Sequence, residues 1–557
     1  MIVNLDSSMK KIFLILYLLL KCLAAFSQEV NETDKIASLC KIWGFLKYFH
    51  PSVAEGDMDW DKVFISEVDT LLHINNKEEL NAHYLRWITG LGNTQDYPAQ
   101  ATDYDKSCNY NRSLSWIDSN NLFTPELSTL LKDIVMHRAA SSRFVHVYSP
   151  GIRKAEFSNE NAYSEMFYPA KPYRLLAIAR YWNMIEYFFP YKYLMDTSWS
   201  TTLTKCIPLF ANARDTLGYV NALDKLIANV NDSHATLYFH KGIRKVKYYM
   251  PVKVKVFPDK ALVTEILNDS LAKAEDIRVG DVLLAINDTS ITDWIKYKGE
   301  FIGASNEAVI RRNLKVMLTT GDTKSVTIKY DRNGQISLKR VNRYMAEDLK
   351  YVETEPPKGL SYKPINDHIG YIDMGLLQTN EIKKAITDFA DMKAIIFDLR
   401  NYPNLTFYPL GNYLANHKTV FAKCIAPDIS FPGKFKCEKP EVYGHKKRAP
   451  YKGKIVVLVN EVTQSRAEYT AMVLSALPNS TVIGSQTAGA DGDAVNIVLP
   501  GDFKLIMSGQ GYYYPDGGQT QRVGIKTDIY IEPTIEGMRR HEDEVLNRAI
   551  KYIETGS

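Results

Sequence analysis

The chain has 557 residues, too many for one hydrophobic core, so three or four domains are expected. Hydrophobic residues make up 45% and charged residues 24%, the proportions of packed domains, which excludes a disordered chain and a multi-span membrane protein. A formal net charge of +4, with 68 basic residues set among 64 acidic ones, leaves no electrostatic footprint for nucleic acid.

Residues 1–27 read as a secretory signal peptide. Lys10 and Lys11 form its positive region, Ile12 to Leu20 its apolar stretch, and Ala25-Phe26-Ser27 a small-x-small cleavage site before Gln28. Lys21 ends the apolar run far short of the roughly 20 residues that span a bilayer, and no later run is long enough, so no stable membrane span is expected. Lipid attachment at Cys22 is disfavoured because Lys21 stands where such signals place a small residue. The mature chain is therefore expected to be exported: periplasmic, associated with an outer membrane, or extracellular. Five cysteines remain after cleavage (Cys40, Cys108, Cys206, Cys424 and Cys437), odd in number and scattered, without CxxC or a histidine at ligand spacing. Neither a disulfide framework nor a metal site is indicated, and no cofactor is expected. Cys424 and Cys437 either pair across a loop or remain idle thiols.

Next comes a repeat. Trp43-Gly-Phe-Leu-Lys-Tyr-Phe-His-Pro51 and Trp182-Asn-Met-Ile-Glu-Tyr-Phe-Phe-Pro190 share Trp, Tyr, Phe and Pro at an offset of 139 residues. The same offset relates Trp60 to Trp199 and Ile88-Thr-Gly-Leu91 to Ile227-Ala-Asn-Val230, some fifty residues without an insertion. Apolar positions at three- and four-residue steps, stopped by Pro, predict amphipathic helices in both copies. The expected division is an N-terminal helical unit over 28–165, ending in a loop-rich stretch, and a second over 166–244.

Over 245–345 the pattern changes to short alternating strands. Val252 to Phe257 and Ala261 to Ile266 have period two, and Ser325–Tyr330 with Gln335–Arg340 flank the hairpin signal Asp331-Arg-Asn-Gly334. Between them Ala274-Glu-Asp-Ile-Arg-Val-Gly-Asp-Val-Leu-Leu-Ala-Ile-Asn-Asp288 resembles the PDZ pattern of a short helix, a Gly-Asp turn and a strand. Such domains add an extended peptide to a sheet edge. Beyond the linker Glu353 to Lys358 the segment 346–557 alternates buried-type strands, Ala394–Phe397, Ile455–Val459 and Thr481–Ile483, with helical stretches, which predicts a parallel α/β core. The last helix, with Val545, Leu546, Ala549, Ile550 and Ile553 on one face, is a packing element.

Ser465 opens the helix that follows strand 455–459, within Asn460-Glu-Val-Thr-Gln-Ser-Arg-Ala-Glu468. A serine at a strand-to-helix corner is exposed, sits at the positive end of a helix dipole, and has the next residue's N–H, here Arg466, available for an oxyanion. The same residue would also serve as a plain N-cap.

The order of the PDZ-like segment, Ile395-Ile-Phe-Asp-Leu-Arg400, the 460–468 stretch, Val482-Ile-Gly-Ser-Gln-Thr-Ala-Gly489 and Val523 to Thr534 is similar to the C-terminal-processing (tail-specific) serine peptidases over roughly 230–555. The resemblance implies a crotonase-like α/β core, a polypeptide substrate entered from a C-terminal tail, and Ser465 as nucleophile within Thr463-x-Ser465-x-x-Glu468. The lysine that serves as base in the common bacterial branch would fall on Ala490. The chain instead resembles the tricorn-like branch with a Ser-His pair. That likeness makes His234, in Asn231-Asp-Ser-His-Ala-Thr-Leu237, the general base and Ser233 its supporting partner, with Gln521 at the place of an orienting glutamate. After Arg400 the family's glycine-rich turn is replaced by Asn401-Tyr-Pro-Asn-Leu405, which leaves Gly411 as the nearest glycine for a second oxyanion donor. Two functions follow: an exported serine endopeptidase, or an inactive peptide-binding protein that keeps the same fold.

Overall fold

A computed structural model describes residues 29–556 apart from 57, 101–113, 120, 140–143, 150, 152, 240–245, 350–358 and 445–450. The signal peptide expected over 1–27, with Cys22, and Cys108 lie outside the described residues. Among those described, no helix is long and apolar enough to cross a membrane.

The 139-residue offset is a structural repeat. Helices Glu32–Phe49, Trp60–Leu72 and Lys77–Thr89 recur as Lys171–Phe188, Trp199–Asn212 and Thr216–Ala228. Even the caps correspond: Asp59 and Ser198 cap the middle helices, Asn76 and Asp215 the third ones, each accepting a first-turn N–H. In each copy the tryptophans lock two helices together by reciprocal bonds. Trp43 Nε1 donates to Trp60 O at 2.8 Å and Trp60 Nε1 to Trp43 O at 3.0 Å; Trp182 and Trp199 do the same at 2.9 Å both ways. The copies meet at their own equivalent position. A Cβ on Gly44 would lie 1.9 Å from Asn183 Cγ, so the first copy needs glycine where the second has asparagine. Asn183 Nδ2 then donates to Cys40 O and Ala179 O, themselves equivalent carbonyls, at 2.8 Å each. The stretch expected as loop between the copies contains one more helix, Pro125–Met136, with Thr124 as cap and Pro at its first position.

The 245–345 segment folds around a six-stranded sheet ordered Gln335–Asn342, Ser325–Arg332, Val282–Ile286, Ala261–Ile266, Val252–Val256, with Thr289–Ser290 attached to Val282–Ile286. Its hairpin turns at Asn333 and Gly334, both at positive φ (54° and 86°), as a two-residue loop requires. Val252–Val256 is an edge strand, and helix Glu307–Thr319 packs beside it.

The C-terminal segment is mixed α/β. Its six-stranded sheet runs Tyr362–Asn366, Ile369–Asp373, Ala394–Asp398, Lys454–Val459, Ser480–Gly484, Ile529–Tyr530, antiparallel only at the first pair. The last helix, Glu544–Thr555, buries Val545, Ala549 and Ile553 against Ile396, Val456 and Ile483 of this sheet. A second element ties the chain together. Strand Thr236–Phe239, which leaves the second helical unit, pairs with Phe503–Ser508, and that strand pairs with Ala494–Leu499. Val495, Ile497, Phe503, Leu505 and Met507 thereby join the core of the helical repeat, so the expected border at 244 is no border in packing. Cys424 is a buried free thiol, whereas Cys437 is disulfide-bonded, so the two do not pair.

Candidate active site

The apolar run Lys454–Val459 forms a central parallel strand, and the chain must turn at its C-terminal end to start helix Arg466–Ser475. Carboxyl ends of parallel strands are where such sheets bind ligands. Thr463 pins the corner: its Oγ1 accepts the Asn460 N–H at 3.1 Å and donates to Leu399 O, at the end of the neighbouring strand, at 2.7 Å. Ser465 stands at φ 57° and ψ −121°, a conformation costing a non-glycine residue about 1–3 kcal/mol. Its N–H points back to Ala490 O at 2.9 Å. Arg466 N–H, the first donor of the helix, has no acceptor among the described residues.

Glu468 explains the third member of the Thr-x-Ser-x-x-Glu stretch. It is 1% exposed and accepts Thr487 Oγ1 at 2.6 Å, Gly489 N at 2.8 Å, Ala490 N at 3.0 Å and Ser465 N at 3.3 Å. Burial pushes its carboxyl above the usual range and these four donors pull against that. The side chain therefore clamps loop 487–490 behind Ser465. Ala490, where a catalytic lysine would stand, contributes only backbone: its carbonyl receives Ser465 and its N–H serves Glu468.

The same loop receives the second copy's terminus. Ser233 Oγ donates to Ala488 O at 2.9 Å and Ser233 O accepts Gln464 Nε2 at 3.1 Å, which brings residues 233 and 464 together across 231 positions of sequence. His234 is buried, and its partner is not Ser233. Nδ1 contacts Ser508 Oγ at 2.8 Å, and Ser508 Oγ donates to Asp232 Oδ1 at 3.0 Å. A carboxylate only accepts, and a serine has a single proton to give. Nδ1 must therefore carry the proton, which leaves the Nε2 lone pair as the basic site. Asp232, 0% exposed, also accepts the backbone N–H of His234 at 3.1 Å and of Ser508 at 2.8 Å. Burial lowers the His234 pKa below the ordinary 6.5; Asp232 and Asp493 oppose that and Arg312 adds to it.

Three expectations change here. Ser233 is bound to the 488 carbonyl and to Ser305 N at 2.8 Å, so it anchors the loop and does not orient His234. Gln521 Nε2 reaches Asp232 Oδ1 at 3.2 Å and Ser305 Oγ at 3.4 Å, not Ser233; its amide carries donors that a carboxylate partner needs, which a glutamate would lack. Gly411 lies inside helix Phe407–Leu414 against Tyr443 and Val473 and offers no oxyanion donor. Asp232 and Ser508 were missed by sequence reasoning. Asp232 was legible as an acid two residues before the histidine, whereas Ser508 is 274 residues away with no local signal.

Ser465 Oγ and His234 make no hydrogen bond to each other in this structure, a looseness common in unliganded sites. Beside Ser465 opens a cavity of about 410 Å³, lined by Arg466, Tyr469, Asp491, Gly492 and the rings of Tyr402, Phe407, Tyr408 and Tyr512. Among the described residues no cluster of His, Cys, Asp and Glu is arranged to hold a metal ion.

Residues 368–531, which span the parallel strands and Ser465, match the family model described as peptidase family S41. No curated protein matches the chain. Among solved structures, mature CPAF complexed with lactacystin and mature CPAF alone are 16% identical, each with a TM-score of 0.54; they cover 69% and 70% of this chain and 99% of their own. That likeness is one of fold. A putative peptidase from Parabacteroides merdae is 14% identical with a TM-score of 0.43, over 70% of this chain and 98% of its own. With the family's match lying over the nucleophile corner and its clamped loop, residues 368–531 are similar to peptidase family S41, and the chain is a serine-type peptidase.

Proposed function

We propose that the protein is an exported endopeptidase that hydrolyses polypeptides through an acyl-enzyme on Ser465, with His234 as general base. The observation that carries this reading is the buried Asp232–Ser508–His234 chain, which fixes the tautomer with a free Nε2, next to Ser233, whose Oγ donates to Ala488 O of the loop that backs Ser465. His234 Nε2 takes the Ser465 proton as Oγ attacks the peptide carbonyl, then returns it to the leaving amine. The Arg466 N–H stabilises the oxyanion. Asp232, acting through Ser508, keeps the imidazole in place and balances its transient positive charge.

In this reading residues 245–345 are a PDZ-like module and 346–557 a crotonase-like core. Edge strand Val252–Val256 and helix Glu307–Thr319 border a groove of about 520 Å³, lined by Lys253, Lys255, Arg312 and Lys315, which suits strand addition by an extended tail ending in a carboxylate. Arg312 of that groove also donates to Glu461 O at 2.9 Å and Gln464 Oε1 at 2.8 Å, next to the nucleophile. Removal of residues 1–27 accompanies export.

A fluorophosphonate probe tests the chemistry, because only an activated serine reacts. Wild type is expected to label and to cleave an unstructured polypeptide, and Ser465→Ala to do neither while remaining folded, its midpoint lowered by no more than the loss of one helix cap. Absence of labelling in the folded wild type would favour a peptide-binding protein without hydrolysis.

A further inference from the structure

The cavity beside Ser465 contains a group that the proposed reaction does not use. Asp491 lines it and is 2% exposed. Its Oδ1 accepts the Gly492 N–H at 2.7 Å, whereas Oδ2 is buried without a partner among the described residues. An orphaned carboxyl oxygen is costly and rare in a folded protein. At the wall of a cavity beside a nucleophile, it marks a group that a ligand completes. Burial, and after it the neighbouring Glu468 carboxyl, push Asp491 well above the usual carboxylate range. Among the described residues no cation pairs with it.

The other charges around the cavity are already committed or are negative. Glu441 receives Arg153 at 3.0 Å and the Tyr408 hydroxyl at 2.6 Å. Arg466, also on the wall, donates to Pro403 O at 3.2 Å and lies over the Tyr402 ring at 5.1 Å. Asp493, also on the wall, takes part in no ion pair among the described residues. What is left over is negative, and the walls between Ser465 and Asp491 are aromatic. A lysine or arginine side chain fits that combination: its methylene stem lies on the rings, its cation gains from their faces, and its tip reaches the carboxyl.

We propose that this cavity is the primary specificity pocket of the peptidase, and that Asp491 receives the basic side chain of the substrate residue on the N-terminal side of the cleaved bond. The proposal rests on Ser465 being the nucleophile. Asp491 is here a specificity-determining residue and takes no part in bond making.

Two measurements on the full chain test it. The first does not need turnover: benzamidine, an aromatic cation of suitable size, should raise the thermal midpoint of wild type and protect Ser465 from the fluorophosphonate, and should do neither in Asp491→Asn. The second needs no variant: in a panel of peptides differing only before the cleaved bond, lysine and arginine should exceed norleucine and glutamine in kcat/KM by about 10²-fold, the scale of losing one partner of a buried charge pair. Preference for glutamine or norleucine, or equal benzamidine binding by both proteins, overturns the proposal. If benzamidine binds wild type alone but neither labelling nor cleavage occurs, the pocket stands and the reading of Ser465 fails.

Discussion

The two helical units carry the same scaffold and end in different chemistry. At the end of the first, Asn93-Thr94-Gln95 forms a turn in which Asn93 Oδ1 accepts the Gln95 N–H at 3.1 Å; at the end of the second, Asp232-Ser233-His234 forms the same turn with Asp232 Oδ1 accepting the His234 N–H at 3.1 Å. Gln95 is exposed, and Thr94 is used up on Asp133 at 2.8 Å. His234 is buried because the chain that follows it becomes a strand of the Ala494–Ser508 hairpin, which delivers Ser508 to its ring. Three side-chain replacements in one conserved-geometry turn, plus a strand partner, separate a structural helix end from a candidate general base.

The strongest way to break this comparison is to exchange residues between the copies. His234→Gln, which installs the first copy's residue, should lower kcat by about 10²–10⁴-fold and abolish the acid limb of the kcat/KM profile. That limb, where activity is lost as the base takes a proton, should lie below pH 6.5 because burial depresses the imidazole pKa. Gln95→His should change neither rate nor profile, since its site has no Asp232–Ser508 chain; activity surviving in His234→Gln would move the base elsewhere. Asp232→Asn, again the first copy's residue, should cost less, about 10–10²-fold, the usual scale for a group that orients another.

A second exchange sharpens the comparison through stability. His50 stands where the second copy has Phe189; both are buried, and neither ring nitrogen of His50 has a partner among the described residues. Burial lowers its pKa to about 4 from 6.5. Between those values the unfolded chain holds a proton that the folded one refuses, so stability falls as pH drops below 6.5 and the loss levels off below 4. The slope is about 1.4 kcal/mol per pH unit. His50→Phe should flatten that part of the acid-denaturation curve, measured by urea titration at several pH values; an unchanged slope would place the titrating group elsewhere.

The smallest expected effect concerns the contact between the copies. Gly44→Asn alone should destabilise by roughly 1–3 kcal/mol, as overpacking against Asn183 does. The double exchange Gly44→Asn with Asn183→Gly should restore nearly all of it, because the new amide finds the same two carbonyls, Cys40 O and Ala179 O, from the other side. Additive losses in a double-mutant cycle would show that the two faces are not interchangeable.

The residues themselves carried the repeat, since Trp, Pro and cap positions recur at one offset and helix packing depends on local periodicity. They also carried the hairpin at Asn333-Gly334, whose positive φ values only such residues accept readily, and the strand-to-helix corner at Ser465. The helix Pro125–Met136 was equally legible in Thr124-Pro125 and the apolar spacing after it, and was hidden only by its polar surroundings. What tertiary structure alone decided is which side chains meet. Strand pairing between 236–239 and 503–508 sets Ser508 on His234, turns Ser233 towards the 488 carbonyl, and gives Gln521 to Asp232. Local sequence specifies a helix or a turn through contacts a few residues apart, but a hydrogen bond spanning 274 residues depends on the register of a sheet, and that register is set by the whole buried core at once.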